Sequence, residues 1–263
     1  MIKKAVFIIC LLITMAFSGP AFGSTYYGYI EWGGTWHDAN KTKAGDSSLC
    51  WAAAASNILD WAGYYTDTYK NQTEIFSDFT SHWTDKGGFP KYGWEWYLNG
   101  VNSSPGGSDF SQPDNLGGGN NWSSVPIQLV PIPAGVYHEE ADDPNAMSAV
   151  ARFLHAGYGV TLAIYTSGGA HTLTCWGYES NDITGAYTGV YVTDSDDGQS
   201  DMVRYSVSQH DVGGPWYIGY GTGSWYISEV EALARNSTRV PEPATLLLLG
   251  FGLLGLAGLR KKN

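Results

Sequence analysis

Cys50, His171 and Asp194 stand in that order along a chain of 263 residues. A thiol, an imidazole and a carboxylate are what nucleophilic acyl transfer needs. The thiolate attacks a carbonyl, the imidazole keeps the proton for the leaving amine, and the carboxylate orients the imidazole. Cys50 lies in KTKAGDSSLCWAAAASNILDWAG, residues 41–63. Asp46, Ser47 and Ser48 are helix-starting residue types, Ala52 to Ala55 favour helix, and Gly63 is a natural stop. The spacing predicts a helix over Cys50 to Trp61 with the cysteine in its first turn. Unpaired N–H groups and the positive end of the helix dipole there lower a thiol pKa, from about 8.5 to roughly 3.5–7.5 in reactive cysteines. Taken alone, Cys50 is equally well read as a buried structural cysteine on a core helix.

His171 and Asp194 belong to a stretch of β texture. GVTLAIYTS from Gly159, HTLTCWGYES from His171 and GVYVTDSD from Gly189 read as strands, followed by MVRYSVS, WYIGY and SWYIS. His171 opens its strand after a Gly-Gly turn, on the same face as Leu173 and Cys175. Asp194 and Asp196 end the next strand, so an antiparallel pair brings Asp194 beside His171. Cys175 reads as a strand core residue. The first half is helical in texture, with Asn71 to Trp83 and Pro144 to His155 as further helices. Thr25 to Trp36 reads as an extended arm. KYGWEWYLNG alternates Tyr92, Trp94 and Trp96, as a strand or an aromatic ledge would, and Asn102 to Ser124 reads as a long surface loop. Helices first and antiparallel sheet second predict an α+β fold.

Two segments, KTKAGDSSLCWAAAASNIL and HTLTCWGYESNDITGAYTGVYVTDSD, resemble the active-site blocks of the IdeS/Mac family of secreted cysteine endopeptidases. That resemblance implies a papain-like cysteine protease fold. Its helical part carries the cysteine at a helix N-terminus, and its antiparallel β part carries the histidine and aspartate. It implies Cys50 as nucleophile, His171 as base, Asp194 as the orienting residue and Asp196 as a supporting carboxylate. The family also uses a lysine shortly before the cysteine to bind the oxyanion. Lys41 is its counterpart, with Lys43 as a competing candidate, and Ala44 stands where papain has its glutamine. The implied activity is hydrolysis of protein or peptide substrates through an acyl-thioester, without a cofactor. Residues from about Asn71 to Ala141 hardly share the resemblance. Two other readings stay open: a different acyl-transfer enzyme on the same residues, or a protein that binds an exopolysaccharide matrix through its aromatics and keeps a vestigial site.

Both ends read as addresses. Lys3 and Lys4 precede an apolar run from Ala5 to Phe17 and then small residues, so residues 1–23 form a secretory signal peptide. At the other end, a Val-Pro-Glu-Pro element, an apolar segment from Ala244 to Leu259 and a basic Arg260-Lys261-Lys262 end resemble the PEP-CTERM sorting signal of Gram-negative bacteria. The resemblance places residues 239–263 in that signal and implies an exosortase-type partner and delivery to the cell envelope, surface or matrix. The apolar segment is barely long enough to span a bilayer of roughly 30 Å. The resemblance to the endopeptidase family then implies a papain-like cysteine peptidase domain over residues 24–238.

With 14 basic against 25 acidic residues the chain carries a formal charge of −11, which argues against nucleic acid as a partner. DSDDGQSD, from Asp194, would place Gly198 and Tyr205 at EF-hand ligand positions, so that motif fails. The remaining histidines lack metal-ligand spacing, and no metal site is expected.

Overall fold

The computed structural model describes residues 23–42, 45–100, 118–122, 137–141 and 143–236. Lys43, Ala44, nearly all of the signal peptide, most of the 102–124 segment and the sorting tail lie outside them. Among the described residues no helix is long and apolar enough to cross a membrane; the apolar segment after Ala244 is not among them.

The chain opens with β1 (Gly23–Tyr27) and a short helix α1 (Gly28–Trp32), where an extended arm was expected. Three helices follow: α2 (Cys50–Trp61), α3 (Gln72–His82) and α4 (Pro90–Asn99). Asn71 caps α3, its side chain accepting from the Glu74 N–H at 3.0 Å. The KYGWEWYLNG segment is helical, not a strand. Pro90 starts α4, where its fixed φ suits a first turn, and Gly100 ends it at φ 70°, a left-handed conformation open to glycine. Trp94, Trp96 and Tyr97 are all buried, so this helix is covered nearly all round and its aromatic alternation says nothing about strand geometry.

The remainder comprises β2 (Tyr137–Ala141), α5 (Ala146–His155), β3 (Tyr158–Thr166), β4 (Gly169–Asn181), β5 (Tyr187–Thr193), β6 (Val203–Gln209), β7 (Trp216–Ile218) and β8 (Trp225–Ala234). Here the expectation of an α+β papain-like fold is overturned. Strands β4, β3, β8, β7, β6 and β5 pair edge to edge, and β5 returns to β4, closing a six-stranded antiparallel barrel that dominates the molecule. Closure depends on β4. Its first half pairs with β3, from Val160↔Cys175 to Thr166↔Gly169, while its second half pairs with β1 on that edge. Its other edge carries β5 across register shifts at Cys175/Gly177 and Glu179/Ser180. Such bulges bend a strand and increase its twist, which lets a sheet curl onto itself. Gly177 is required at the first of them, because a Cβ there would run into the Tyr26 carbonyl of β1.

Two cores result. Alternate strand residues such as Val160, Leu162, Leu173, Cys175, Val192 and Val230 fill the barrel, together with the apolar face of α5. On the outside of the barrel, α2, α3 and α4 build an aromatic core around Trp51, Phe79, Trp94, Trp96 and Trp176. Helix α2 lies against β4, and this contact sets the site.

Candidate active site

Cys50 is the first residue of α2, as its spacing predicts, but the residues before it do not cap the helix as expected. Leu49 holds the cap position with no side-chain bond. Ser47 Oγ donates instead to Asp85 Oδ2 at 2.5 Å, and the Ser48 N–H donates to the same carboxylate. Asp46 accepts from the N–H of Thr42 at 3.0 Å through its side chain and from that of Leu49 at 3.0 Å through its carbonyl. The loop is thus tied down from outside, and among the described residues the first-turn N–H of Cys50 has no hydrogen-bond partner.

The thiol sits between opposing influences. Burial pushes its pKa up, but the hydrogen bond to His171, the charges of His171 and Lys41 and the Thr172 N–H outweigh burial and hold it below the usual value. His171 shows the converse. Burial pushes the imidazole down, while hydrogen bonds to Asp194 and Cys50, and the charges of both, raise it to about 10. The two directions agree: sulfur and imidazole favour a thiolate–imidazolium pair. By contrast, burial in the barrel pushes Cys175 up to about 12. Both cysteines are free.

His171 Nε2 meets Asp194 Oδ1 at 2.7 Å, both residues being buried. Asp194 lies just beyond β5, whose Thr193 pairs with Thr174 of β4, so the expected strand-to-strand placement holds. Burial raises the Asp194 carboxyl, but the His171 bond and charge, the Asp196 N–H at 3.0 Å and the Tyr220 hydroxyl bring it below the ordinary carboxylate value. Tyr220 was not singled out from sequence. Its ring stacks on His171 with centroids 5.3 Å apart and planes at 27°, and its hydroxyl lies near enough to Asp194 to feel that charge. Burial and the Asp194 charge together hold its hydroxyl firmly protonated.

Asp196 lies farther from the imidazole, with Oδ2 at 3.7 Å from Nδ1, and its other oxygen binds the Lys41 ammonium. Lys41 also donates from Nζ to the Ser47 carbonyl, and its side chain is 8% exposed. Its position is set by the arm between α1 and α2. The Lys41 N–H donates to the Ser195 carbonyl at 3.0 Å, Thr193 Oγ1 donates to the His37 carbonyl at 2.9 Å, and the Ala39 N–H donates to Asn57 Oδ1 at 2.7 Å. Asn57 donates in turn to Thr174 Oγ1 at 3.0 Å, which locks α2, β4 and the arm together. Lys43 falls outside the described residues, so only Lys41 is placed at the site.

These groups open onto a cleft of about 470 Å³ whose lining includes Cys50, His171, Asp196, Phe89 and Tyr165. One ligand atom each from His171, Asp194 and Asp196 lie within 4.8 Å of one another, a spacing a metal ion could use. Asp196 already holds the Lys41 ammonium there, so an ion would have to compete with an internal cation. An aromatic ledge of Tyr92, Trp94, Trp96 and Trp122 does not form: the three tryptophans are buried in the outer core, out of reach of a sugar, and Tyr92 is only half-buried.

Residues 239–262 match the PEP-CTERM protein-sorting motif. A search of curated proteins finds no match. Nothing in these comparisons supports the resemblance to the IdeS/Mac family or to papain-like proteases, which therefore rests on the quoted segments alone. What the motif does establish is an exported protein of the Gram-negative cell envelope or extracellular matrix, recognised by an exosortase-type sorting enzyme.

Proposed function

We propose that the exported domain is a cysteine endopeptidase that hydrolyses protein substrates through an acyl-thioester. The observation that carries this reading is that Cys50 and His171 line the wall of one open cleft, with Asp194 holding the imidazole at 2.7 Å. In the proposed reaction the Cys50 sulfur bonds to the scissile carbonyl carbon, and negative charge collects on the oxygen. The Cys50 N–H is one donor for that oxygen. An ammonium has three N–H bonds; Asp196 and the Ser47 carbonyl engage two of Lys41's, leaving a third to turn towards the oxyanion. Collapse breaks the C–N bond as His171 hands its proton to the departing amine. His171 then takes a proton from water, which attacks the thioester and returns the sulfur as thiolate. Asp194 orients the ring throughout, and Tyr220 covers it. Asp196 acts through Lys41.

A matrix-binding role loses its main support with the burial of Trp94, Trp96 and Trp122. Proteome-wide cleavage-site profiling with the exported protein, and with Cys50→Ala as control, tests the reading. New peptide termini that disappear in the variant are expected. Transfer of the acyl group to an amine, with no new carboxyl termini, would replace hydrolysis by another acyl-transfer activity. Termini that persist in Cys50→Ala would end the proposal.

A further inference from the structure

Behind the site, the arm that delivers Lys41 lies along the loop of residues 194–201, DSDDGQSD. The two are joined by the Lys41 N–H to the Ser195 carbonyl at 3.0 Å and by the Asn40 side-chain amide to the Gln199 carbonyl at 2.8 Å. Asp38 stands in this seam. Both of its carboxylate oxygens are out of contact with water and have no well-formed hydrogen bond among the described residues. Two neutral oxygens share that condition: Asn40 Oδ1, two residues along the arm, and the hydroxyl of Ser195, a residue only 5% exposed whose carbonyl meets the arm across the seam. The charges Asp38 feels are those of Asp197, Asp194 and Asp201, and the Asn40 amide relieves them only in part. Lys41, the near cation, is engaged by Asp196.

A buried carboxylate without a partner is strongly unfavourable, and more so among like charges. It is resolved by a proton or by a cation. A mixed set of carboxylate, amide and hydroxyl oxygens is what a calcium ion takes, since calcium accepts six to eight oxygens in flexible geometry whereas magnesium demands a compact octahedron.

We propose that Asp38, Asn40, Ser195 and Asp197 form a calcium site that ties the Lys41 arm to the loop carrying Asp194 and Asp196. The ligands come from two segments far apart in sequence, which is why an EF-hand spacing does not describe them. Asp197 keeps one oxygen for the ion while the other accepts from the Gln199 N–H at 2.8 Å. Without an ion, burial pushes Asp38 up to about 7, so the rival state is a metal-free, protonated Asp38. Binding at this seam does not depend on what Cys50 does.

The test is calorimetric titration of the chelator-treated exported protein with calcium chloride, and separately with magnesium chloride. The expected result is one saturable calcium site with a dissociation constant on the order of 10⁻⁴ to 10⁻³ M, the range of extracellular calcium modules, and weaker binding of magnesium. Asp38→Asn and Asp197→Asn should each weaken calcium by about tenfold or more, because ligand charge sets the affinity, with circular dichroism unchanged. Cys50→Ala should bind calcium as the parent does even if no peptidase activity is ever found. No saturable calcium binding at millimolar concentration would overturn the proposal in favour of a protonated Asp38. So would undiminished binding in both folded aspartate variants; if Asp38→Asn fails to fold, Asp197→Asn alone decides.

Discussion

Tyr220 stacks on the ring of His171, centroids 5.3 Å apart, and its hydroxyl lies close enough to Asp194, the residue that holds that ring, to feel its charge. One side chain therefore covers the imidazole and faces its carboxylate partner. Removing only the hydroxyl should loosen Asp194 while leaving the stacked ring in place. Tyr220→Phe is expected to lower kcat by about tenfold, in line with a hydroxyl–carboxylate interaction worth ~1.5 kcal/mol. Steady-state kinetics with a cleaved peptide checks this, and an unchanged kcat would assign Tyr220 to packing alone.

The two aspartates separate by what they touch. Asp194 meets the imidazole at 2.7 Å, whereas Asp196 binds Lys41 and stays 3.7 Å from the ring. Asp194→Ala should therefore cost more turnover than Asp196→Ala. The Asp196 variant should move in the same direction as Lys41→Ala, since it removes the carboxylate that holds the ammonium in place. Loss of one oxyanion donor typically costs about 100- to 1000-fold in rate, and Lys41→Ala is expected to approach that while Cys50 still alkylates. Near-normal activity in Lys41→Ala would remove this lysine from the mechanism.

Much of this arrangement can be read in the sequence, and the unread part has a physical cause. The alanine run after Cys50 places the thiol at a helix start, and strand alternation places Asp194 beside His171; both are local signals. Tyr220 and barrel closure are not local. Tyr220 reaches His171 only because β7 and β8 return the chain to β3, and closure depends on bulges along β4 that no turn motif announces. Trp94 and Trp96 mislead because a helix buried nearly all round has no polar face to reveal its period. Ser47 and Ser48 are good capping residues in general, yet Asp85, distant in sequence, claims them.

A pH profile follows from the opposed shifts. Activity needs Cys50 deprotonated and His171 protonated. The thiol lies below its usual value and His171 at about 10, so kcat/KM should rise on the acid side, stay level through neutrality and fall near pH 10. The pair titrates jointly, so these limbs belong to the couple. An alkaline limb near 6.5, the value of a free imidazole, would mean that Asp194 does not support the ring.

A stability prediction concerns the outer face of β8. Lys91 pairs with Glu229 at 2.5 Å and lies 3.5 Å from Glu231, whose other oxygen accepts the Lys91 N–H at 2.9 Å. Burial first, and the Glu229 charge second, push Glu231 well above the ordinary carboxyl value, while Lys91 opposes them. A carboxyl whose folded pKa is raised is most favourable when protonated, so its contribution falls as pH climbs from its unfolded value towards its folded one. Lys91→Met should destabilise by about 3–5 kcal/mol, the cost of breaking a buried pair, and the deficit should grow as the pH rises through the point at which Glu231 ionises in the folded parent. Thermal melts over a pH series check this; a deficit independent of pH throughout would mean that Lys91 does not govern the Glu231 ionisation.

The central claim is that Cys50 is held as a thiolate by His171, and alkylation measures it directly. Iodoacetamide at mildly acidic pH, followed residue by residue with peptide mass spectrometry, should modify Cys50 well before Cys175, and His171→Ala should shift the Cys50 profile towards that of an ordinary thiol. Equal labelling of the two cysteines, a Cys50 profile unchanged by His171→Ala, or a Cys50–Cys175 disulfide in active protein would contradict the account.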